Sequence, residues 1–278
     1  MIYVVGAFCL DVIVEADEFL HNTSTPGRIS VRPGGVGYNI FSHLSGERRL
    51  ITAIGNDEFS GFVHSFIGSD DVVLHTMDAP PPMYVAFMER GELNLGASQM
   101  DAVEHALDAD TIMESLADAG RGDIVVLDAN LHPDVLKKLV LLLKNRCRVF
   151  FEPISSAKAS RHKEWLSDIF IMTPDRREFE VLLDAADPDD DYIFSYLDSR
   201  SIEFLLATRG REGARLYGHE KRWDFAPGCP LDITDSTGAG DMLTAVLAES
   251  VAAGISPEKA LPDCMAKVEK MLAGRSRS

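Results

Sequence analysis

A glycine-rich segment ending in an acid is the feature most able to do chemistry. The sequence DSTGAGD runs from Asp235 to Asp241 and directly precedes a helical pattern. Glycines lack a Cβ, so consecutive amides can point inward at a helix amino end, where the dipole favours an anion. The amides of Gly238, Ala239 and Gly240 would then stabilise charge on a transferred phosphoryl group. Asp241 would take a proton from the accepting hydroxyl. Taken alone, the segment is more typical of an N-cap loop.

A second glycine-rich segment, PGGVGYN, runs from Pro33 to Asn39. The pair Gly34 and Gly35 permits a ligand to approach the backbone closely. One helical turn later, the amide of Asn39 can donate and accept hydrogen bonds with a polyhydroxyl ligand. The segment is not a Walker A loop, because no GK[ST] follows it. The alternative is a hinge followed by a polar helix residue.

The third feature is the end of the first apolar strand. The run Ile2 to Val5 is closed by Gly6, which predicts that another group approaches the backbone closely there. Asp11 follows at the carboxyl end of this strand, where ligands bind in open α/β sheets. A carboxylate can accept two sugar hydroxyls, and the alternative is a solvated turn.

The elements that must position these residues alternate along the chain. The predicted strands are Ile2 to Val5, Arg28 to Arg32, Leu50 to Ile54, Val72 to Thr76, Met83 to Glu89, Leu93 to Leu95, Ile124 to Asp128, Arg148 to Glu152, Ile169 to Thr173 and Phe204 to Thr208. One predicted helix begins directly after Gly35. The other predicted helices span Phe59 to Ile67, Ile112 to Ala119, Pro133 to Lys144, Asp175 to Leu183, Ile193 to Ser199, Ala239 to Ala253 and Pro257 to Leu272. Strands alternating with helices predict a mainly parallel sheet covered on both faces.

Two segments interrupt this alternation. Residues 12–33 and 72–98 are rich in strands and turns and have no crossover helix. We expect them to form a small β lid inserted into a single α/β domain spanning residues 1–278.

Composition excludes several classes of function. The chain has 44 acidic and 27 basic residues, a formal charge of −17, so a basic surface for nucleic acid or an anionic membrane is not expected. A nucleotide ligand remains compatible with this charge, because backbone amides and one metal ion can neutralise phosphate locally. The apolar stretches are too short to span a bilayer. The cysteines Cys9, Cys147, Cys229 and Cys264 are widely spaced, which favours a reducing, cytoplasmic setting without disulfides or structural zinc.

In their order and separation along the chain, the three features together resemble the two signatures of the ribokinase-like (PfkB) carbohydrate kinases. The resemblance covers residues 1 to about 253. It implies a Rossmann-type three-layer α/β/α core with a small β-sheet lid. It also implies ATP as the phosphoryl donor and a sugar or nucleoside hydroxymethyl group as the acceptor.

The same resemblance implies a role for each matching residue. Asp11, Gly34, Gly35 and Asn39 would hold the ribose, Asp241 would be the base, and Gly238, Ala239 and Gly240 would form the anion hole. On the ATP side it implies Thr208 and Gly210 lining the nucleotide, Asp175 and Lys158 near phosphate, and Glu178 organising Mg²⁺.

Shorter blocks resemble the pseudouridine kinases within that family. They are Ser24 to Ile29, the GGVG form of the second segment, Ser98 to Met100, Asp128 to Leu131 and Glu152 to Lys158. This implies pseudouridine as the leading substrate. Another sugar, such as ribose or a ketohexose, and a non-catalytic nucleoside- or sugar-binding protein are the alternatives. Edge strands of a small lid would also permit pairing into a homodimer.

The sequence departs from the family pattern at several places. Asp175 stands where Asn is usual, and Glu152 stands where Asp is usual. Prolines 80–82 stiffen the lid and remove amide donors. Only 37 residues follow Asp241 in this chain of 278, so we do not expect a complete loop for a monovalent cation such as K⁺. Weakened ATP binding or activity would follow from these differences.

Overall fold

The computed structural model describes residues 1–57, 60–67, 71–228 and 238–275. The strands are β1 (Ile2–Val5), β2 (Cys9–Ala16), β3 (Arg28–Gly34), β4 (Arg48–Gly55), β5 (Val72–Met77), β6 (Met83–Glu89), β7 (Glu92–Gln99), β8 (Ile124–Asp128), β9 (Arg148–Glu152), β10 (Ile171–Met172), β11 (Phe204–Thr208), β12 (Ala214–Gly218) and β13 (Lys221–Phe225). The helices are α1 (Val36–His43), α2 (Ser60–His64), α3 (Asp101–Ala106), α4 (Ala109–Ser115), α5 (Pro133–Leu143), α6 (Ser156–Ser160), α7 (Arg176–Leu183), α8 (Asp190–Ser199), α9 (Ala239–Ala252) and α10 (Pro257–Arg275).

The large sheet has nine strands in the order β13-β12-β11-β10-β9-β8-β1-β4-β5. Seven of them, from β11 to β5, run parallel, and the hairpin β12–β13 adds an antiparallel edge. The central strands are short and rich in β-branched and aromatic residues, as strands covered on both faces require. All their carboxyl ends therefore meet at one edge of the sheet.

Helices cover both faces of this sheet. In β1, Tyr3 and Val5 belong to the core on the face covered by α3 to α8, whereas Ile2 and Val4 belong to the core on the face covered by α1, α9 and α10. This alternation follows from the two-residue period of a strand. The layered core confirms the predicted α/β fold, with helices on each side of a mainly parallel sheet. Among the described residues, no helix is both long enough and apolar enough to cross a membrane.

A separate four-stranded sheet has the order β3-β2-β6-β7 and covers residues 9–34 and 83–99. The predicted lid boundary at residue 72 is therefore too early, since β5 pairs in parallel with β4 in the large sheet. The physical reason is that 72–77 is an apolar strand that follows α2 and extends the core. The proline-rich residues 80–82 connect the two sheets.

Most predicted elements agree with the structure, and β1, β6, β8, β9 and β11 have the predicted bounds. The hairpin β12–β13 and helices α3 and α6 were not predicted. The two helices contain six and five residues, too few for a periodic apolar pattern to show. Within the helix predicted over 59–67, Phe59 lies outside the described residues.

Candidate functional site

The centre of the candidate site is a contact between two helices that are distant in sequence. Asn39 Nδ2 donates a hydrogen bond of 2.8 Å to Asp241 Oδ2, across 202 positions of the chain. Asn39 lies in the first turn of α1, and Asp241 lies in the first turn of α9. Two residues that the sequence predicted for substrate binding and for base catalysis are thus brought together.

The charge state of Asp241 suits a base. Burial raises the pKa of its carboxyl to about 6, and the negative charges of Asp128 and Asp11 add to that rise. The hydrogen bond from Asn39 opposes it, because it stabilises the charged form. At neutral pH the carboxyl is therefore mostly ionised, with a pKa close enough to neutrality for efficient proton transfer.

The backbone amides at the amino end of α9 belong to the same helical turn as Asp241. Gly238 adopts a left-handed conformation with a φ of 76° and begins the helix, and no side-chain hydrogen bond caps it among the described residues. Ala239 and Gly240 follow in the first turn, so their N–H groups have no partner within the helix. This geometry fits the predicted anion hole. The preceding residues of the motif, Asp235 to Thr237, lie outside the described part of the chain.

The glycine pair at the start of α1 is required by the protein's own packing. A Cβ on Gly34 would lie 2.3 Å from Cγ of Asp11, and one on Gly35 would lie 2.5 Å from the carbonyl oxygen of Ala7. Gly35 also has a φ of 94°, which side chains rarely tolerate. Asp11 and the turn after β1 thus occupy the space beside these glycines, and the approach of a ligand to this backbone stays a prediction.

Asp11 lies on β2, at the root of the small sheet. Burial raises the pKa of its carboxyl, while Cys9 and Arg32 oppose that rise. Cys9 Sγ lies 3.4 Å from Asp11 Oδ1, and Arg32 Nε lies 3.9 Å from Oδ2. Its binding role toward a sugar stays a prediction.

A second group of predicted residues assembles at the ends of β10 and β11. The Thr208 amide donates to the Pro174 carbonyl at 2.9 Å, and Asp175 forms a parallel bridge with Thr208. Gly210, with a φ of 54°, opens a 3₁₀ helix immediately after β11. Asp175 and Thr208 therefore lie side by side, with Glu178 three residues after Asp175 and Gly210 two residues after Thr208. Their roles toward the nucleotide stay predictions.

Asp175 and Glu178 form a capping box at the start of α7. Asp175 Oδ1 accepts the Glu178 amide at 2.8 Å, and Glu178 Oε2 accepts the Asp175 amide at 2.8 Å. Asn and Asp are both favourable N-caps, so the substitution of Asp for the family's usual Asn preserves this local structure. Asp175 is exposed, whereas Glu178 is buried.

Glu152 connects the group around Asp241 with the group around Asp175 and Thr208. Sequence analysis did not predict this role. Its Oε2 accepts hydrogen bonds from the Thr173 hydroxyl at 2.5 Å and from the Thr244 hydroxyl at 3.2 Å. Thr173 precedes the segment with Asp175, and Thr244 lies one turn beyond Asp241. The signal was an acid closing a buried strand, but only the fold places the two threonines beside it.

The acids of this region raise each other's pKa. Burial and the charge of Glu178 hold the pKa of Glu152 well above its usual range. Burial raises the pKa of Glu178 to about 7, and the charges of Asp175 and Asp241 add to this. No ion pair to a basic side chain compensates Glu152, Glu178 or Asp241 within the described ranges.

A divalent cation fits this donor set only in part. Carboxylate oxygens are the ligands Mg²⁺ prefers, and the uncompensated negative charge favours it. However, no three acidic, histidine or cysteine side chains of the described residues converge to hold a metal by themselves. In proteins Mg²⁺ is commonly held mainly by phosphates and water, with one or two carboxylates. The role of Glu178 in organising Mg²⁺ stays a prediction.

Lys158 lies apart from the other residues predicted to contact the nucleotide. It is on α6, and the charges that act on it are Asp128, Glu104 and Arg161. Burial lowers the pKa of its ammonium group. The structure brings Lys158 toward the end of β8, and its predicted approach to phosphate stays a prediction.

Comparisons with known proteins agree with this arrangement. Residues 1–264 match the pfkB family carbohydrate kinases. The pseudouridine kinase of Escherichia coli is 23% identical over 261 residues, covering 89% of this chain and 82% of that protein.

Solved structures show the same fold. A ribokinase from Thermotoga maritima superposes with a TM-score of 0.83 at 19% identity, covering 96% of this chain and 91% of that one. Arabidopsis thaliana ribokinase, solved with ribose and ATP, gives a TM-score of 0.78 at 20% identity, covering 96% and 90%. With the match to the family extending over nearly the whole chain, this protein belongs to the pfkB family of carbohydrate kinases, phosphotransferases that act on an alcohol group.

Proposed function

We propose that this kinase transfers the γ-phosphoryl group of ATP to the 5′-hydroxymethyl group of a ribosyl substrate, with pseudouridine as the acceptor and pseudouridine 5′-phosphate as the product. The observation that carries the proposal is the Asn39–Asp241 contact at the amino end of α9. It holds a carboxylate with a pKa of about 6 beside backbone amides suited to phosphate.

In this mechanism Asp241 accepts the proton of the acceptor hydroxyl as its oxygen bonds to the γ-phosphorus. The bond from that phosphorus to the bridging β–γ oxygen breaks, and ADP leaves. The amides of Ala239 and Gly240 stabilise the negative charge on the phosphoryl oxygens. Asn39 keeps the Asp241 carboxylate oriented and lowers its pKa.

The small sheet acts as a lid in this proposal. Asp11 lies on the sheet face opposite its apolar outer face, beside Arg32 and Tyr84 in the neighbouring strands. Asp11 would accept the sugar hydroxyls, and the lid would exclude water, which otherwise competes as phosphoryl acceptor. When bound, Mg²⁺ would neutralise the charge of the nucleotide phosphates, and Glu178 would hold it through water.

Pseudouridine is supported by sequence likeness to pseudouridine kinases. The short sequence blocks resemble pseudouridine kinases, and an enzyme of that activity from Escherichia coli matches over most of the chain. The identity to that enzyme is 23%, and a free sugar is the alternative acceptor. Ribose remains the second candidate, because ribokinases share the fold.

The test is a coupled ATP and Mg²⁺ phosphorylation assay with pseudouridine, uridine, ribose and fructose in parallel. The proposal expects kcat/KM for pseudouridine to exceed the others. A preference for ribose or fructose would contradict the nucleoside assignment and keep the kinase roles. No turnover on any acceptor, with nucleoside-dependent thermal stabilisation, would identify a binding protein instead.

We also propose that the lid pairs with a second copy of the chain. One face of the small sheet, here called its outer face, is formed by apolar residues from all four strands, because residues opposite each other across strands share a face. The residues of this outer face are Val12, Val14, Ile29, Val31, Val85, Phe87, Leu95 and Ala97. Ile29, Val31 and Leu95 are 68%, 45% and 61% exposed, a contiguous apolar surface typical of an interface.

Light-scattering mass measurements test this pairing. We expect the wild type to be a dimer and Val31→Glu to be a monomer. Leu142→Glu is the control, because Leu142 is 44% exposed on α5, away from the lid. A monomeric wild type, or dissociation in both variants, would contradict pairing through the lid.

A further inference from the structure

A fully buried carboxylate at the end of β8 is held by four hydrogen bonds. Asp128 Oδ2 accepts the Ala7 amide at 2.8 Å and the Gly37 amide at 3.1 Å. Asn130 supplies the other two, from its amide to Oδ1 at 3.0 Å and from Nδ2 to Oδ2 at 3.3 Å. All four partners are donors, so the arrangement suits an ionised carboxylate, whose two oxygens accept only. Burial raises the pKa of Asp128, and the hydrogen bonds from Ala7 and Asn130 together with the charge of Lys158 oppose that rise.

These hydrogen bonds join three segments that are distant in sequence. Ala7 belongs to the turn after β1, Gly37 belongs to the first turn of α1, and Asp128 ends β8. A further bond of 3.0 Å runs from the Tyr38 amide to the Ala7 carbonyl. The amino end of α1 is therefore fixed to the turn after β1, and the fixed residues directly precede Asn39 in the helix.

The packing at this junction leaves no room for a side chain on Gly6 or Gly37. A Cβ on Gly6 would lie 2.3 Å from Oδ2 of Asp128, and one on Gly37 would lie 2.9 Å from the carbonyl carbon of Gly6. The two backbones are thus in direct contact, with the carboxylate seated against them. This is the close approach that the sequence predicted at Gly6.

We propose that Asp128 is a positioning residue, which places Asn39, and through it Asp241, by clamping the amino end of α1 to the turn after β1. The inference rests on the proposed kinase function, since the placement of Asn39 affects turnover only if Asp241 accepts the proton. Asp128 itself is fully buried and acts through the backbone of α1, not through contact with the reacting atoms.

The first test reads the Asn39–Asp241 hydrogen bond directly, without activity. The side-chain amide signal of Asn39 is followed by NMR in protein labelled with ¹⁵N-asparagine, with Asp241→Ala as the reference for a missing acceptor. We expect the signal in Asp128→Asn to move most of the way to its position in Asp241→Ala. Gly120→Ala is the control, because a Cβ there meets nothing within 4 Å. An Asn39 signal that stays at its wild-type position in Asp128→Asn would overturn the inference.

The second test is a double-mutant cycle on turnover. We expect Asp128→Asn and Asn39→Ala each to lower kcat by at least about 10-fold, as small misplacements in an active site do. The KM for ATP should change by less than about twofold, since no hydrogen bond of the clamp involves Asp175, Glu178 or Thr208. The double variant should be no slower than Asn39→Ala alone, because both changes remove the same placement. Multiplicative losses would show that Asp128 acts independently of Asn39.

The two proposals fail in distinguishable ways. A wild type that phosphorylates none of the acceptors overturns the kinase proposal, and the NMR result still decides the role of Asp128. If Asp128→Asn does not fold, Gly37→Ala takes its place in both tests, since its Cβ would push α1 away from Gly6. A Gly37→Ala variant with the wild-type Asn39 signal and kcat would then contradict the clamp.

Discussion

The hydroxyl of Thr244, which lies one helical turn beyond Asp241, donates a 3.2 Å hydrogen bond to the buried carboxylate of Glu152. The same carboxylate oxygen accepts the Thr173 hydroxyl, just ahead of the capping box with Glu178. One acid thus ties the helix that carries the proposed base to the segment proposed to organise the metal. This bridge links the residues proposed to act on the acceptor with those proposed to hold the nucleotide.

Removing the carboxylate of Asp241 should separate binding from turnover. Asp241→Asn keeps the size of the side chain but cannot accept the hydroxyl proton, so we expect kcat to fall by about 10²–10⁴-fold. Ligand-dependent thermal stabilisation by the acceptor should remain within a few degrees of that of the wild type. Turnover within threefold of the wild type would show that another group takes the proton.

The pH dependence of kcat/KM should report the carboxyl of Asp241. Its pKa of about 6 predicts an acidic limb near that pH, because the base must be ionised. Asn39→Ala removes a hydrogen bond to the charged form, so the pKa of Asp241 should rise and the limb should move to higher pH. The profile of each protein is measured from pH 5 to 9. A limb that moves to lower pH, or does not move, would contradict this electrostatic role for Asn39.

The raised pKa of Asp241 also predicts a cost in stability. In the unfolded chain the carboxyl ionises near pH 4, whereas in the folded protein its pKa is about 6. The folded state therefore binds more protons between these values, and its stability should fall as the pH rises through this window. Asp241→Asn removes that penalty, so it should unfold at higher denaturant concentration than the wild type at pH 8, by up to about 3 kcal/mol.

The same comparison at pH 4 is the internal control. There the wild-type carboxyl is largely protonated in the folded protein, so the two proteins should differ by less than at pH 8. Equal stabilities at both pH values would contradict a raised pKa at this position.

Two substitutions of Glu152 should differ in their effect on stability. Glu152→Gln keeps an oxygen that accepts from the Thr173 and Thr244 hydroxyls, so we expect a loss below about 1 kcal/mol. Glu152→Ala leaves both hydroxyls without that acceptor in a buried site and opens a cavity, so we expect a loss of about 2–4 kcal/mol. Urea unfolding curves measure both. If the two variants lose the same stability, the hydrogen bonds of Glu152 are not what holds this junction.

The glycine pair predicts a selective loss of acceptor binding. Gly34→Ala would place a Cβ 2.3 Å from Cγ of Asp11, so Asp11 must move. We expect the KM for the acceptor to rise by about 10-fold, with the KM for ATP nearly unchanged, because one displaced charged hydrogen-bonding group costs about 1.5–3 kcal/mol. Gly46→Ala is the matched control, since a Cβ there has no neighbour within 4 Å. Equal increases in both KM values would indicate a general distortion.

Much of this protein was predictable from local pattern. Apolar runs such as Ile124–Asp128 and Met83–Glu89 carry their strand signal in a few neighbouring residues, and their bounds match the structure. The two glycine-rich segments likewise indicated the amino ends of α1 and α9, because glycine is needed where a helix begins in a left-handed or closely packed conformation. Family membership follows from these same segments.

Only the tertiary structure decided which distant residues meet. The local sequence of β5 resembles that of the lid strands. Its place beside β4 is set by long-range pairing and by burial against the core. The contacts of Asn39 with Asp241 and of Asp128 with Ala7 join segments more than 100 positions apart. Such contacts depend on the order of strands in the sheet and on backbones in direct contact, and neither is encoded in the spacing of residues along one segment. The sequence by itself determined the elements and the chemical groups, and the fold decided that one buried carboxylate clamps the helix that orients the proposed base.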